Sequence, residues 1–384
     1  MRPRSFASAR LARGFAVVTS LSIFLAVSAH AVTISVTTCG QTVSGRASLT
    51  GDLDCTGLPD PGVRLTSNST LDLAGFTLSG GDGDGVECEG VCKIISSEPG
   101  GTIADFLGHG VVSQGSVKGA GRIRVGKSIV RDNGGHGVFV NEAEGNITVS
   151  LSDIRTNGGA GIITPDRMRV GRSVVSGNAL EGAYGDTLKV NKSLFELNGT
   201  GIEALTYLGI IDSEVNDNVG DGIHIGSNCR TRRVNVLRNG GTGIVFDTIL
   251  GDALVFFIEV SDNGLDGIRV ENPQTDRLRL KISFVRRNGR HGIVSERVRL
   301  NQSRVDENAF HGVYAPAGTQ CNVRIDRYTL VDNGTDASCG VTTTCADIAS
   351  CLLPVNLSAS TECDTSYDSS SGFPGVSWSI CTED

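Results

Sequence analysis

Asn133-Gly134-Gly135-His136-Gly137-Val138 and Asn263-Gly264-Leu265-Asp266-Gly267-Ile268 are two copies of one short unit. Each has an Asn, a Gly four residues on, and a β-branched residue after that Gly. The Asn recurs as Asn157, Asn178, Asn198, Asn218, Asn239, Asn288, Asn308 and Asn333, so the chain holds ten in all. The steps between them are 24, 21, 20, 20, 21, 24, 25, 20 and 25 residues. The Gly stands four residues later in eight of the ten, and Gly201 comes one residue early. Self-similarity at so short a period marks a solenoid, in which each repeat is one turn stacked on the next.

Counting back from each Asn sorts the repeat into columns. Three before it stand Val130, Ile154, Val175, Phe195, Val215, Val236, Val260, Val285, Val305 and Leu330. Eight before it are Val125, Val149, Val170, Val190, Ile210, Thr231, Val255, Leu280, Leu300 and Ile325, and ten before it a third apolar column runs from Ile123 to Val323. Apolar positions two apart with polar residues between them have strand spacing. Each repeat therefore carries about three short strands joined by tight turns. A single turn cannot bury its own apolar side, but stacked turns place like on like about 4.8 Å apart. Ser stands five before the Asn in seven of ten repeats (Ser128, Ser152, Ser173, Ser193, Ser213, Ser283, Ser303), and both polar columns read as turn-stabilising ladders.

The Asn-Gly-x-x-Gly-Ile/Val units resemble those of the right-handed parallel β-helix proteins of the pectin-lyase-like group, over roughly residues 65–335. The resemblance implies an all-β, single-stranded right-handed parallel β-helix of about 12 coils. It does not select an activity, because the group contains lyases, hydrolases and binding proteins.

Residues 1–31 read as a secretory signal peptide: Arg2, Arg4, Arg10 and Arg13, an apolar run from Phe15 to Val27, then Ala29-His30-Ala31. Export to the cell surface, the periplasm or the medium is expected, with no membrane span. Its removal takes four Arg and no acid, so the formal charge moves from −8 to −12. Residues 32–64 read as an N-terminal cap with a Cys39–Cys55 disulfide, and Cys88 is expected to join Cys92. Residues 336–384, rich in Cys, Ser and Thr, read as a C-terminal cap closing the last coil. Cys229 is left alone in the middle, in the apolar column of Met168, Leu188 and Leu278, and is expected to be a buried, reduced thiol.

Few motifs point to chemistry. Gly108-His109-Gly110 and Gly135-His136-Gly137 echo a triplet of pectin-cleaving hydrolases, but the Asn-Thr-Asp and Asp-Asp that accompany it there are missing. The Gly/Asp-rich Gly80–Gly85 lacks the register of a calcium-binding nonapeptide, and the mature chain offers one Met as a soft copper ligand. No cofactor is expected. Asp266, His291 and His311 share the column before the recurring Gly and could meet at one metal ion or one sugar hydroxyl; solvated turns explain them as well. Glu203, Asp221 and His224 sit close together in consecutive repeats and are the candidates for acid–base catalysis, set against plain outward polar residues.

The strongest signal is basic. Nine before the Asn, facing out between two apolar columns, stand Arg124, Thr148, Arg169, Lys189, Gly209, Arg230, Leu254, Arg279, Arg299 and Arg324, seven of ten basic in an acidic chain. All variation in repeat length falls beside this column, in segments such as Asn141 to Asn146 and Glu271 to Arg277. An extended anionic partner lying along the column would explain it: an acidic polysaccharide or a cell-surface glycan before nucleic acid. The competing explanations are a polysaccharide lyase acting on uronates, a structural surface protein or adhesin, and a solvated face whose charges pair with acids of neighbouring rows.

Overall fold

The computed structural model describes residues 33–113, 121–250, 253–272 and 277–314, and the backbone of strands Asn322–Asp326, Leu330–Asp332, Asn356–Leu357 and Glu362–Cys363. The signal region and most of the Cys-rich tail lie outside the described residues.

The chain is an all-β parallel solenoid of about 12 turns. Each coil has three strands, and each pairs in parallel with its counterpart one coil away. In the coil ending at Asn133 the first strand is Arg122–Gly126 and the second Ile129–Arg131; the third, Val138–Val140, follows the Asn. The register is the one the columns demand: Ile123↔Ile147, Arg124↔Thr148 and Val125↔Val149 on the first strands, Val130↔Ile154 on the second, Val138↔Ile162 on the third. The three faces join where one strand runs through all of them, as Thr200–Asn216 does. Among the described residues pairing begins at Ile34, since Ile34–Val36 already lies beside Arg46–Leu49, and Cys39 joins Cys55 there. Among the described residues no helix is long and apolar enough to cross a membrane.

Inward columns of Val, Ile and Leu fill the coil, and nearly all are fully buried. The corners are built from backbone that side chains normally avoid. Residues six and one before the Asn have positive φ in coil after coil: Lys127, Leu151, Arg172 and Ile282 at the first corner, Asp132, Thr156, Asp217 and Arg287 at the second. A non-Gly residue there costs about 1–2 kcal/mol, so something must hold each corner. At the first, the Ser hydroxyl accepts from the backbone N–H of the preceding coil's Ser, as Ser128 N–H donates to Ser152 Oγ at 3.3 Å. It also donates to a carbonyl of its own coil, Ser152 Oγ to Ser150 O at 2.9 Å. At the second corner the buried Asn amide bridges three coils: Asn239 Nδ2 donates to Asn263 Oδ1 at 2.9 Å and to Val215 O at 3.1 Å, while its Oδ1 accepts from both Nδ2 and N of Asn218.

One expectation needs correcting. Cys88 and Cys92 stand as free buried thiols rather than a disulfide. They lie in inward columns, Cys88 between Leu65 and Ser113 and Cys92 between Ser69 and Ile123, where a thiol packs as a small apolar group. Thr231 breaks the otherwise apolar column it occupies: it is fully buried, and its hydroxyl has no hydrogen-bond partner among the described residues. Cys229 is buried as expected, and desolvation pushes its thiol up to about 12.

Candidate polyanion-binding face

The first strands form one outward face. Its first-strand segments, residues 91–95, 122–126, 146–150, 167–171, 187–191, 207–211, 228–232, 253–257, 278–281 and 297–301, contain no Asp or Glu and hold twelve Lys or Arg. The central column is in continuous register from Arg124 through Thr148, Arg169, Lys189, Gly209, Arg230, Leu254 and Arg279 to Arg299. The backbone of Arg324 continues it; that side chain lies outside the described residues. Pairing also extends the column toward the N-terminus, through Lys93 and Thr70 to Arg46. Lys93 and Arg46 escaped the sequence reading because the early coils lack the Asn from which columns are counted. Their signal is the register of Leu71 and Ile94 with Val125.

Arg167, on this face, lies 3.6 Å from Asp166, but five cations of the face differ in their partnering from several arginines elsewhere. At the corners, acids of the neighbouring coil meet them: Arg238 grips Asp217 at 2.7 and 2.8 Å, Arg287 grips Asp262 at 2.8 and 2.9 Å, and Arg233 bonds Asp212. On the second-strand face Arg286 pairs with Glu259 at 2.6 Å. Lys93, Arg124, Arg169, Lys189 and Arg230 are exposed and make no ion pair among the described residues. Like charges one coil apart, about 4.8 Å, repel by roughly 1 kcal/mol even at the dielectric of water. Three grooves lie along the face. One of 330 Å³ is bordered by Lys93 and Arg124, one of 430 Å³ by Arg169, Lys189 and Arg230, and one of 280 Å³ by Arg279, Lys281 and Arg299.

The catalytic candidates lie on the third-strand face, around a corner from the grooves. Glu203 and His224 are register neighbours. His224 Nε2 is 2.6 Å from Asp247 Oδ1. Burial raises the Glu203 carboxyl above its ordinary range. Burial alone would lower His224, but the hydrogen bond and charge of Asp247, with Glu203 beside it, hold it above its usual value. Asp221 is turned to the main chain, where its Oδ1 accepts from Thr242 N–H at 2.6 Å. None of these residues borders the three grooves.

Asp221 belongs to a third ladder that sequence reasoning missed. The residue before the recurring Gly accepts from the N–H of its counterpart one coil on: Asp84 from His109 at 2.6 Å, His109 Nδ1 from His136 at 2.9 Å, His136 Nδ1 from Ala160 at 2.9 Å, Asp266 from His291 at 3.0 Å. The recurrence of Asp and His, whose short side chains carry an acceptor, was the available signal. The metal candidates are committed to the same ladder. Asp266 is fully buried and also pairs with Arg269, while His291 Nδ1 takes the His311 N–H at 3.3 Å. The two rings stack with their centroids 5.2 Å apart, next to Tyr314. Among the described residues no group of three His, Cys, Asp or Glu is placed to hold a metal.

Residues 183–330 match the family model described as the right handed beta helix region. Among solved structures, the chain is similar to the A-module of the Azotobacter vinelandii mannuronan C-5 epimerase AlgE6, at 12% identity over 85% of this chain and 91% of that one, with a TM-score of 0.37. It is similar also to the A-module of the AlgE4 epimerase of the same organism, at 14% identity over 85% of each chain and a TM-score of 0.32. At such identity and superposition neither likeness bears on what this chain does. No curated protein matches it. By its own strand pairing the chain is a parallel β-solenoid, and within it residues 183–330 match the right-handed β-helix model.

Proposed function

We propose that this is an exported protein that binds an extended acidic polysaccharide along its first-strand face, without itself cleaving the polymer. The observation that supports this most is that Lys93, Arg124, Arg169, Lys189 and Arg230 share the acid-free central column and make no ion pair among the described residues, whereas the corner residues Arg233, Arg238 and Arg287 each meet an acid. A solvated face balanced by neighbouring acids would show the opposite. The side-chain spacing suits a ligand with regularly repeated carboxylates or sulfates, each of which an Arg fork can hold at two oxygens. The basic start and Ala29-His30-Ala31 would deliver the protein to where such polymers occur.

The test is affinity electrophoresis in gels containing polygalacturonate, alginate or a neutral glucan. The wild type should be retarded by an acidic polymer and not by the neutral one, less so as salt rises. The combined variant Arg169→Ser, Lys189→Ser, Arg230→Ser should run unretarded. Equal retardation of variant and wild type would remove the proposal, and a growing unsaturated-uronate absorbance would replace binding with lyase chemistry.

A further inference from the structure

The basic column is interrupted at Gly209, and what fills the gap is an aromatic ring. A methyl group at Gly209 would come within 3.3 Å of both Cε1 and the hydroxyl oxygen of Tyr207. The phenol thus covers the place that a column side chain would occupy. Tyr207 is half-buried and helps form the 430 Å³ groove, whose border also includes Lys189 and Arg230. These two cations belong to the coils on either side of Gly209, as the pairings Lys189↔Gly209 and Gly209↔Arg230 show. They stand two coil steps apart, about 10 Å. The register neighbours of Tyr207 are Thr187 and Asn228, which are uncharged.

An aromatic ring laid on bare backbone, midway between two exposed cations in a water-filled groove, has no packing purpose that a Ser or an Arg would not serve with less apolar exposure. It does suit a pyranose. The C–H face of a sugar can rest on the ring, its hydroxyls can bond the phenol, and acidic groups on the flanking sugars can reach Lys189 and Arg230. We infer that Tyr207, seated on Gly209, is a sugar-ring subsite that makes this face select an acidic polysaccharide over other polyanions. The inference rests on the binding function proposed above and names the residue that gives it specificity.

The experiment compares polygalacturonate or alginate, whichever binds, with inorganic polyphosphate and single-stranded DNA. Each is titrated into wild type, Tyr207→Ala, Tyr207→Phe and Gly209→Arg at fixed salt. Tyr207→Ala should weaken binding of the acidic polysaccharide roughly fivefold, the scale of one aromatic contact, and leave polyphosphate unchanged. Tyr207→Phe should keep most of the affinity. Gly209→Arg, which displaces the ring and completes the charge column, should strengthen polyphosphate binding and weaken the polysaccharide. Unfolding curves coincident with wild type confirm that each variant is folded. If Tyr207→Ala leaves the polysaccharide unaffected while salt-sensitive binding persists, the subsite is refuted and the face survives. If it costs DNA as much as polysaccharide, the ring is a general stacking surface and the inference fails. If wild type binds none of the polymers, the face and the subsite fall together.

Discussion

Asn239→Ala should destabilise the solenoid by an amount that follows from counting orphans. The side chain makes two donor bonds, to Asn263 Oδ1 and Val215 O, and accepts two, from N and Nδ2 of Asn218. Truncation does not strand Asn263 Oδ1, which keeps the backbone N–H of residue 239 at 3.0 Å. Val215 O loses one partner. The serious losses are on Asn218: its backbone N–H has no other acceptor at hand, and its amide keeps only the bond to Phe195 O at 3.3 Å. Both stranded donors belong to a residue that is 2% exposed, out of reach of replacement water. At about 1–2 kcal/mol for each, the cost is about 2–4 kcal/mol. Urea unfolding gives the total. Because a solenoid can open coil by coil, hydrogen exchange at the Asn218 amide is the sharper readout. Its protection should drop at least as much as global stability does, with smaller effects toward Asn178 and Asn288. An unchanged midpoint together with an unchanged Asn218 exchange rate would mean that the amide ladder does not hold the second corner.

The His members of the third ladder make stability depend on pH. His136 must be neutral to accept the Ala160 N–H, and burial lowers it from 6.5 to about 4, with His109 beside it adding to the effect. A depressed folded value stabilises above the unfolded value and is lost as pH falls through the folded one. The thermal midpoint should therefore drop between pH 6.5 and 4. His136→Asp, which copies the acceptor used at Asp84 and Asp266, should flatten that drop, and an equally steep profile in the variant would exclude His136 as its source. Cys229 should resist a bulky maleimide in the native state. Cys229→Val should fold and Cys229→Asp should not, since a buried unpaired carboxylate is far costlier than a missing thiol; rapid native labelling would contradict the register of every column.

The repeat was legible because the physics is columnar. When each inward position must lie on its like, the chain repeats its apolar residues at the coil period, and counting from Asn239 or Asn263 returns the register that the strands adopt. Three things stayed hidden. The left-handed corners fall on Leu151 and Ile282, residue types that do not announce a positive φ, and the Ser ladder beside each supports that conformation from outside the local sequence. The acceptor role of Asp84, His109 and His136 looks from sequence like surface polarity, since only the stacked geometry shows that each side chain points along the axis at a backbone N–H. Lys93 and Arg46 precede the first counted Asn, so they joined the basic column only through strand pairing.

The same distinction underlies the proposed function. Many polar residues of this molecule already serve the solenoid: Ser and Asn satisfy the corners, Asp and His bond the next coil's backbone, and Arg238 and Arg287 neutralise acids one coil away. Glu203, His224 and Asp247 likewise face one another rather than a groove. Subtracting these leaves the first strands, where Lys93, Arg124, Arg169, Lys189 and Arg230 have no such duty among the described residues and no acid between them. Charge repulsion along such a file lowers stability, so the fold alone gives no reason for it. The proposed ligand would supply the missing negative charge, and an extended one would suit a file that continues from coil to coil with grooves beside it.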